Sequence, residues 1–204
     1  MPEPCGNLTL AAACRRYPVF APALQAVADL DAGALVAVDG RCGSGKTTLG
    51  ALLAAVFGCA VVHTDDYYLP FARRAPGWEH TPAANMDLAR LRAEVLDPLR
   101  AGRAAVSRPY DCHRGQFGPA AALPAGALTV LEGSYAHHPA LGPYTLRVFL
   151  TCEPAVQAAR LQAREGGNFE MFRTRWVPLE EGYLQAYGIE AAADLVLHTD
   201  ASGG

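Results

Sequence analysis

The stretch Gly40-Arg41-Cys42-Gly43-Ser44-Gly45-Lys46-Thr47-Thr48 decides how this chain is read. It matches G-x-x-x-x-G-K-[ST] in full. The short apolar run Ala34–Val38 precedes it, and an apolar run over 47–57 follows. The first suits a buried parallel strand and the second a helix. Glycines let a backbone wrap closely around an anion, and a helix N-terminus adds partial positive charge. In such a loop Lys46 reaches the β- and γ-phosphates of a nucleotide, and the Thr47 hydroxyl holds Mg²⁺. The nine residues from Gly40 to Thr48 are therefore the expected ATP contacts.

Lys46 is the only lysine in the sequence, and the other sixteen of its 17 basic residues are arginine. A compact ammonium on a flexible stem suits this position better than a planar fork. The same count excludes a GTPase, whose base-reading N-K-x-D segment needs a second lysine. No L-S-G-G-Q signature of a transporter ATPase is present either. A small-molecule kinase is the class that remains.

Outward from the loop, apolar runs alternate with helical spacing. Further strands are expected over 59–63, 105–109, 128–131, 146–150 and 195–197. Helices are expected over 22–30, 87–100, from Pro154 onward, and over 169–187. Residues 70–84, with Pro70, Pro76, Gly77 and Pro82, read as an irregular loop. Alternating strands and helices predict an α/β fold of the P-loop NTPase type, a parallel sheet flanked by helices. With 204 residues this is one domain. Its core spans about 34–198, a short lid about 160–175, and residues 1–33 form an N-terminal extension.

Composition sets the remaining limits. The net charge of -3 argues against a nucleic-acid binder. No apolar stretch is long enough for a membrane span. The six cysteines lack metal-ligand spacing and read as reduced thiols of a cytoplasmic protein. A small molecule is the expected partner, and homo-oligomerisation stays open.

With these motifs in place, the chain resembles the uridine kinase / phosphoribulokinase family. The resemblance runs through GRCGSGKTT, Asp65-Asp66-Tyr67-Tyr68, Asn85-Met86-Asp87, Arg108-Pro-Tyr110-Asp111, Leu131-Glu132-Gly133 and a helix bearing Arg160 and Arg164. It implies nucleoside-kinase-like chemistry with ATP and Mg²⁺. Asp65 is then the base on the acceptor hydroxyl, with Asp66 as the alternative. Tyr67 and Tyr68 line the acceptor site, and Arg108, Tyr110, Asp111 and His113 help hold the acceptor. Thr47, Asp65 and Glu132 lie toward the metal, and Arg160 and Arg164 clamp the transferring group. Being four apart, these two arginines share one helix face. Trp78 and Glu79 fall in the loop flanking the acceptor, where Trp78 either stacks on a ligand or anchors the loop by burial. The expected acceptor is a nucleoside such as uridine or cytidine. Pantothenate, nicotinamide riboside, a sugar phosphate, or a non-catalytic nucleotide-binding module are the alternatives.

Overall fold

The computed structural model describes residues 8–112 and 114–200. In chain order the helices and strands are α1 (Leu10–Arg16), α2 (Ala21–Ala28), β1 (Leu35–Gly40), α3 (Lys46–Phe57), β2 (Ala60–His63), α4 (Leu88–Leu91), α5 (Asp97–Arg100), β3 (Ala105–Ser107), β4 (Tyr110–Asp111), β5 (Gln116–Phe117), β6 (Ala121–Leu123), β7 (Thr129–Glu132), β8 (Leu146–Thr151), α6 (Pro154–Glu165), α7 (Phe169–Met171), α8 (Val177–Ala186) and β9 (Leu195–His198). Five strands form one sheet in the order β2-β7-β1-β8-β9, and every pairing in it is parallel. The expected α/β fold with a parallel sheet flanked by helices is the observed one.

Residues of β1 are buried along its whole length, as a central parallel strand requires. The two-residue period of the strands divides the core. Val36, Val38, Val130, Val148 and Leu150 face a layer completed by Leu24, Leu49 and Leu53. Leu131 and Phe149 face the other, with Tyr67, Leu91, Tyr135 and Tyr183. No helix among the described residues is long and apolar enough to cross a membrane.

The structure differs from the sequence expectation at several points. Residues 8–33 are more than an extension. Thr9 caps α1 through its side chain, and Ala13, Phe20, Leu24 and Val27 pack into the core. The helix expected over 87–100 is interrupted by a π-turn at Arg92–Leu96, and the one over 169–187 by another at Phe172–Trp176. Each π-turn ends two residues before a proline, Pro98 and Pro178. Proline has no N–H for the usual carbonyl four residues back. The preceding residue donates five back instead, Asp97 to Arg92 and Val177 to Phe172. The strand over 105–109 stops at Ser107, and β3 pairs antiparallel with β6 outside the main sheet. A second small ribbon, β4 with β5, carries Tyr110 and Asp111.

At Gly40 the chain leaves β1 with φ +141°, and a Cβ there would lie 2.0 Å from the Leu150 carbonyl oxygen. Backbone cannot yield as a flexible side chain does. Gly40→Ala is expected to destabilise the fold by about 3 kcal/mol or more, from strain and overpacking together. Urea unfolding measures this, and a loss below about 1 kcal/mol would contradict the close approach.

Candidate active site

In open α/β sheets ligands bind beyond the carboxyl ends of the strands, and the neighbouring strands β1, β7 and β2 end here in chemistry-bearing residues. The next-to-last residue of β1 is Asp39, which is fully buried. Its Oδ1 accepts the Gly40 N–H at 2.7 Å. Its Oδ2 accepts the His137 N–H and the Tyr183 hydroxyl, each at 2.8 Å. A buried carboxylate is tolerable only with such donors, and here they fix the start of the loop. Gly43 and Gly45 then turn through positive φ, and α3 begins at Lys46 with its first N–H groups free of intrahelical partners.

Lys46 is 9% exposed. Its Nζ donates to the Gly40 and Arg41 carbonyls at 2.5 and 3.1 Å and lies 3.8 Å from the Glu180 carboxylate. The Cys42 N–H donates to Glu180 at 2.7 Å. The loop thus already cradles an anion, so its residues fit the phosphates of a nucleotide. Burial, then Glu180, pushes the Cys42 thiol up, which keeps it protonated. Thr47 and Thr48 stand exposed at the helix start.

β7 ends at Glu132, buried with its carboxylate 3.4 and 3.5 Å from Thr47 Oγ1. His63, the last residue of β2, pairs with Glu132 through Nδ1. That hydrogen bond raises the His63 pKa. Among the described residues no group of three His, Cys, Asp or Glu side chains stands together as a metal cluster. Thr47 and Glu132 are a sparse donor set. That suits Mg²⁺, which keeps several waters and leans on substrate phosphates.

Past β2 a 3₁₀ turn, Thr64–Tyr67, carries both aspartates. Asp65 is exposed, and its Oδ1 accepts the Tyr68 hydroxyl at 3.0 Å. Burial, with Asp65 beside it, holds the Tyr68 hydroxyl well above its ordinary pKa, so that bond stays a donation to a carboxylate. Asp66 is half-buried and its pKa is raised, chiefly by burial. Of the two, Asp65 is the more open to a ligand.

Several expected site residues lie elsewhere. Tyr67 does not line the cleft with Tyr68. It is wholly buried in the core, bonded to Ser107 at 3.0 Å, with the Arg90 guanidinium 4.0 Å from its ring centre. The 3₁₀ turn sends adjacent side chains in different directions, so the pair cannot share a face. Trp78 anchors its loop and is not open for stacking. It is 8% exposed, lies between the Arg74 and Arg175 guanidiniums, and sits 5.9 Å from the Trp176 ring. Arg175 also donates to Glu79 at 2.8 Å, so the segment after α6 is latched onto the 70–84 loop.

Arg160 and Arg164 engage different partners. Arg160 donates to the Gly43 carbonyl at 3.2 Å and to Thr199, bracing the back of the loop. Arg164 is exposed and pairs with Glu165, near enough to Cys42 to act on its thiol. Arg108 lies over the Phe117 ring, and Tyr110 packs edge-on against that ring at 5.2 Å. Asp111 accepts the Arg114 N–H at 3.0 Å. His113 lies outside the described residues.

The sequence reading missed Asp39, Ser134, Tyr135 and Glu180. A carboxylate one residue before the glycine loop was a signal for Asp39. Tyr135 holds φ +73°, a strained conformation for a bulky residue that clusters at functional sites. It lies two residues after Gly133, but backbone strain leaves no trace in sequence.

No protein-family model matches the chain, and no curated protein matches it in sequence. Solved structures do. One, from Bacillus stearothermophilus and described as a possible uridine kinase, superposes with a TM-score of 0.69 at 19% identity, covering 88% of this chain and 97% of that one. A proposed fructose transport system kinase from Silicibacter sp. TM1040 gives 0.61 at 24% identity, with 92% and 98% covered. A D-glycerate 3-kinase from Cryptococcus neoformans var. grubii gives 0.52 at 14% identity, with 85% and 89% covered. At these identities the likeness is one of architecture: the chain shares the parallel α/β fold of these solved structures.

Proposed function

We propose that the chain is an ATP-dependent kinase that phosphorylates a hydroxyl of a small molecule, with a nucleoside of the uridine or cytidine type as the leading acceptor. One observation carries this reading. The sheet order β2-β7-β1 makes neighbours of the strands that Asp65, Glu132 and Lys46 follow or close, which supports an anion cradle, a metal-side carboxylate and an open carboxylate working together at one carboxyl edge of the sheet. Phosphoryl transfer needs these parts, since it depends on positioning and charge neutralisation. Bound Mg²⁺, held from Thr47 and Glu132 with Asp65 on the same side, would neutralise phosphate charge.

In this reading the loop amides and Lys46 hold the polyphosphate. Asp65, fixed by the Tyr68 hydroxyl, orients the acceptor hydroxyl and takes its proton as the oxygen bonds to the γ-phosphorus. The bond from that phosphorus to the β–γ bridging oxygen breaks, and ADP leaves. Arg164, the exposed arginine of α6, is the better placed of the two to meet the transferred group. With Tyr67 and Trp78 taken up in packing, Tyr68 and Tyr110 are the rings left for the acceptor. The structural neighbours described as acting on uridine, in fructose transport and on D-glycerate also support a small hydroxylated acceptor. A cytoplasmic setting, and no nucleic-acid or membrane partner, belong to the same proposal.

A screen of nucleosides, vitamins and sugar phosphates, read as ADP release from Mg·ATP, tests it. Acceptor-dependent release is expected, with a nucleoside among the active compounds. ADP formed equally without any acceptor would make the protein an ATPase. ATP binding with no release on any acceptor would make it a nucleotide-binding module.

A further inference from the structure

Glu180 places a carboxylate where the loop is built to hold phosphate. It is an acidic residue yet 3% exposed. One of its oxygens, Oε2, accepts the Cys42 N–H at 2.7 Å. The other accepts the Ser134 hydroxyl at 2.6 Å and lies 3.8 Å from Lys46 Nζ. The amide and the ammonium are the groups a P-loop turns toward a polyphosphate. The placement is also braced from outside. The next residue, Glu181, pairs with Arg41 of the loop at 2.7 Å, and Arg41 reaches Glu190 at 3.0 Å. α8 therefore grips the loop through two successive carboxylates, one inside the cradle and one on its rim.

We propose that Glu180 is an internal anion that competes for the γ-phosphate end of the cradle and must leave it before a nucleotide can bind. The proposal rests on the kinase reading above. Two anions cannot share one amide and one ammonium in a buried site without strong repulsion, so Glu180 and the polyphosphate compete. Glu180 lies four residues after Trp176, which packs against Trp78. Its release therefore pulls on the segment that latches the 70–84 loop, tying nucleotide entry to loosening of that latch.

The test uses the full chain and inorganic tripolyphosphate, then ATP, each without and with Mg²⁺, titrated by calorimetry. Glu180→Gln keeps the size and an oxygen for the Cys42 N–H but removes the charge. It is expected to bind tripolyphosphate and Mg²⁺-free ATP at least about tenfold more tightly, which is about 1.4 kcal/mol. Glu180→Ala, with a thermal melt to show that it is folded, is expected to do the same. Unchanged or weaker affinity in the folded variants would overturn the proposal. So would a loss confined to Mg·ATP, which would make Glu180 a metal-side residue instead. If neither the wild type nor the variants bind polyphosphate at all, the kinase reading itself falls, and this inference with it. A readout needing no variant is amide exchange across 177–186 in the wild type. Saturating tripolyphosphate should speed it, and slower or unchanged exchange would overturn the displacement.

Discussion

Asp65→Asn is expected to leave ATP affinity within about twofold and to lower acceptor phosphorylation by roughly three orders of magnitude, the middle of the range a positioned base contributes. The substitution keeps the shape and the Tyr68 hydroxyl bond, since the amide oxygen can still accept at 3.0 Å. It removes the negative charge and the ability to take a proton. Asp65 stands at the end of β2, apart from the loop that holds the phosphates, so its loss should fall on kcat and spare nucleotide binding. A late proton transfer in a loose transition state still leaves orientation of the acceptor to Asp65, and Asn orients less well because one face of its amide donates. ATP titration by calorimetry together with single-turnover phosphorylation separates these effects. Near-normal turnover would remove Asp65 from the base role. Asp66→Asn is the internal control, because Asp66 is partly withdrawn by burial and its carbonyl is held by Arg90.

The contrast between those two aspartates shows what the sequence could and could not carry. The loop from Gly40 to Thr48 was legible because its chemistry is local. Glycines, one lysine and a threonine at fixed spacing dictate a backbone path whatever surrounds them. The parallel sheet was legible for a similar reason, since runs such as Leu35–Val38 and Val148–Leu150 have one period and one burial pattern. Tyr67 and Tyr68 were not separable, because which of two adjacent rings faces the cleft depends on a 3₁₀ turn that propensity does not mark. The place of Trp78 depends on Arg74, Arg175 and Trp176 packed around it, and two of those three lie about a hundred residues away. Glu180 was invisible for a sharper reason. Adjacent glutamates on a helix are ordinarily solvated, and only the approach of α8 to the loop turns Glu180 inward. The π-turns before Pro98 and Pro178 were foreseeable in kind, since a proline inside a helix must disturb it.

The second large effect concerns the lone lysine. Lys46→Arg keeps the charge and would pass as conservative on a surface. Here it is expected to cut kcat/KM for ATP about a hundredfold, close to 2.7 kcal/mol of transition-state stabilisation. The cause is geometric. The Lys46 ammonium folds back onto the Gly40 and Arg41 carbonyls at 2.5 and 3.1 Å, in a space that leaves the side chain 9% exposed. A planar guanidinium is wider and spreads its donors over a fork, so it cannot satisfy both carbonyls and still present a donor into the cradle. Displaced forward, it would meet Glu180 and form a bidentate pair, closing the cradle more firmly than lysine does. The loss should therefore appear in ATP affinity as well as in turnover, unlike that of Asp65→Asn. Adding Glu180→Gln to Lys46→Arg should then recover part of the lost affinity, because the partner that traps the arginine is gone. Full activity of Lys46→Arg alone would contradict the point-charge argument. Independent, additive effects of the two substitutions would show that Lys46 and Glu180 do not share one anion site.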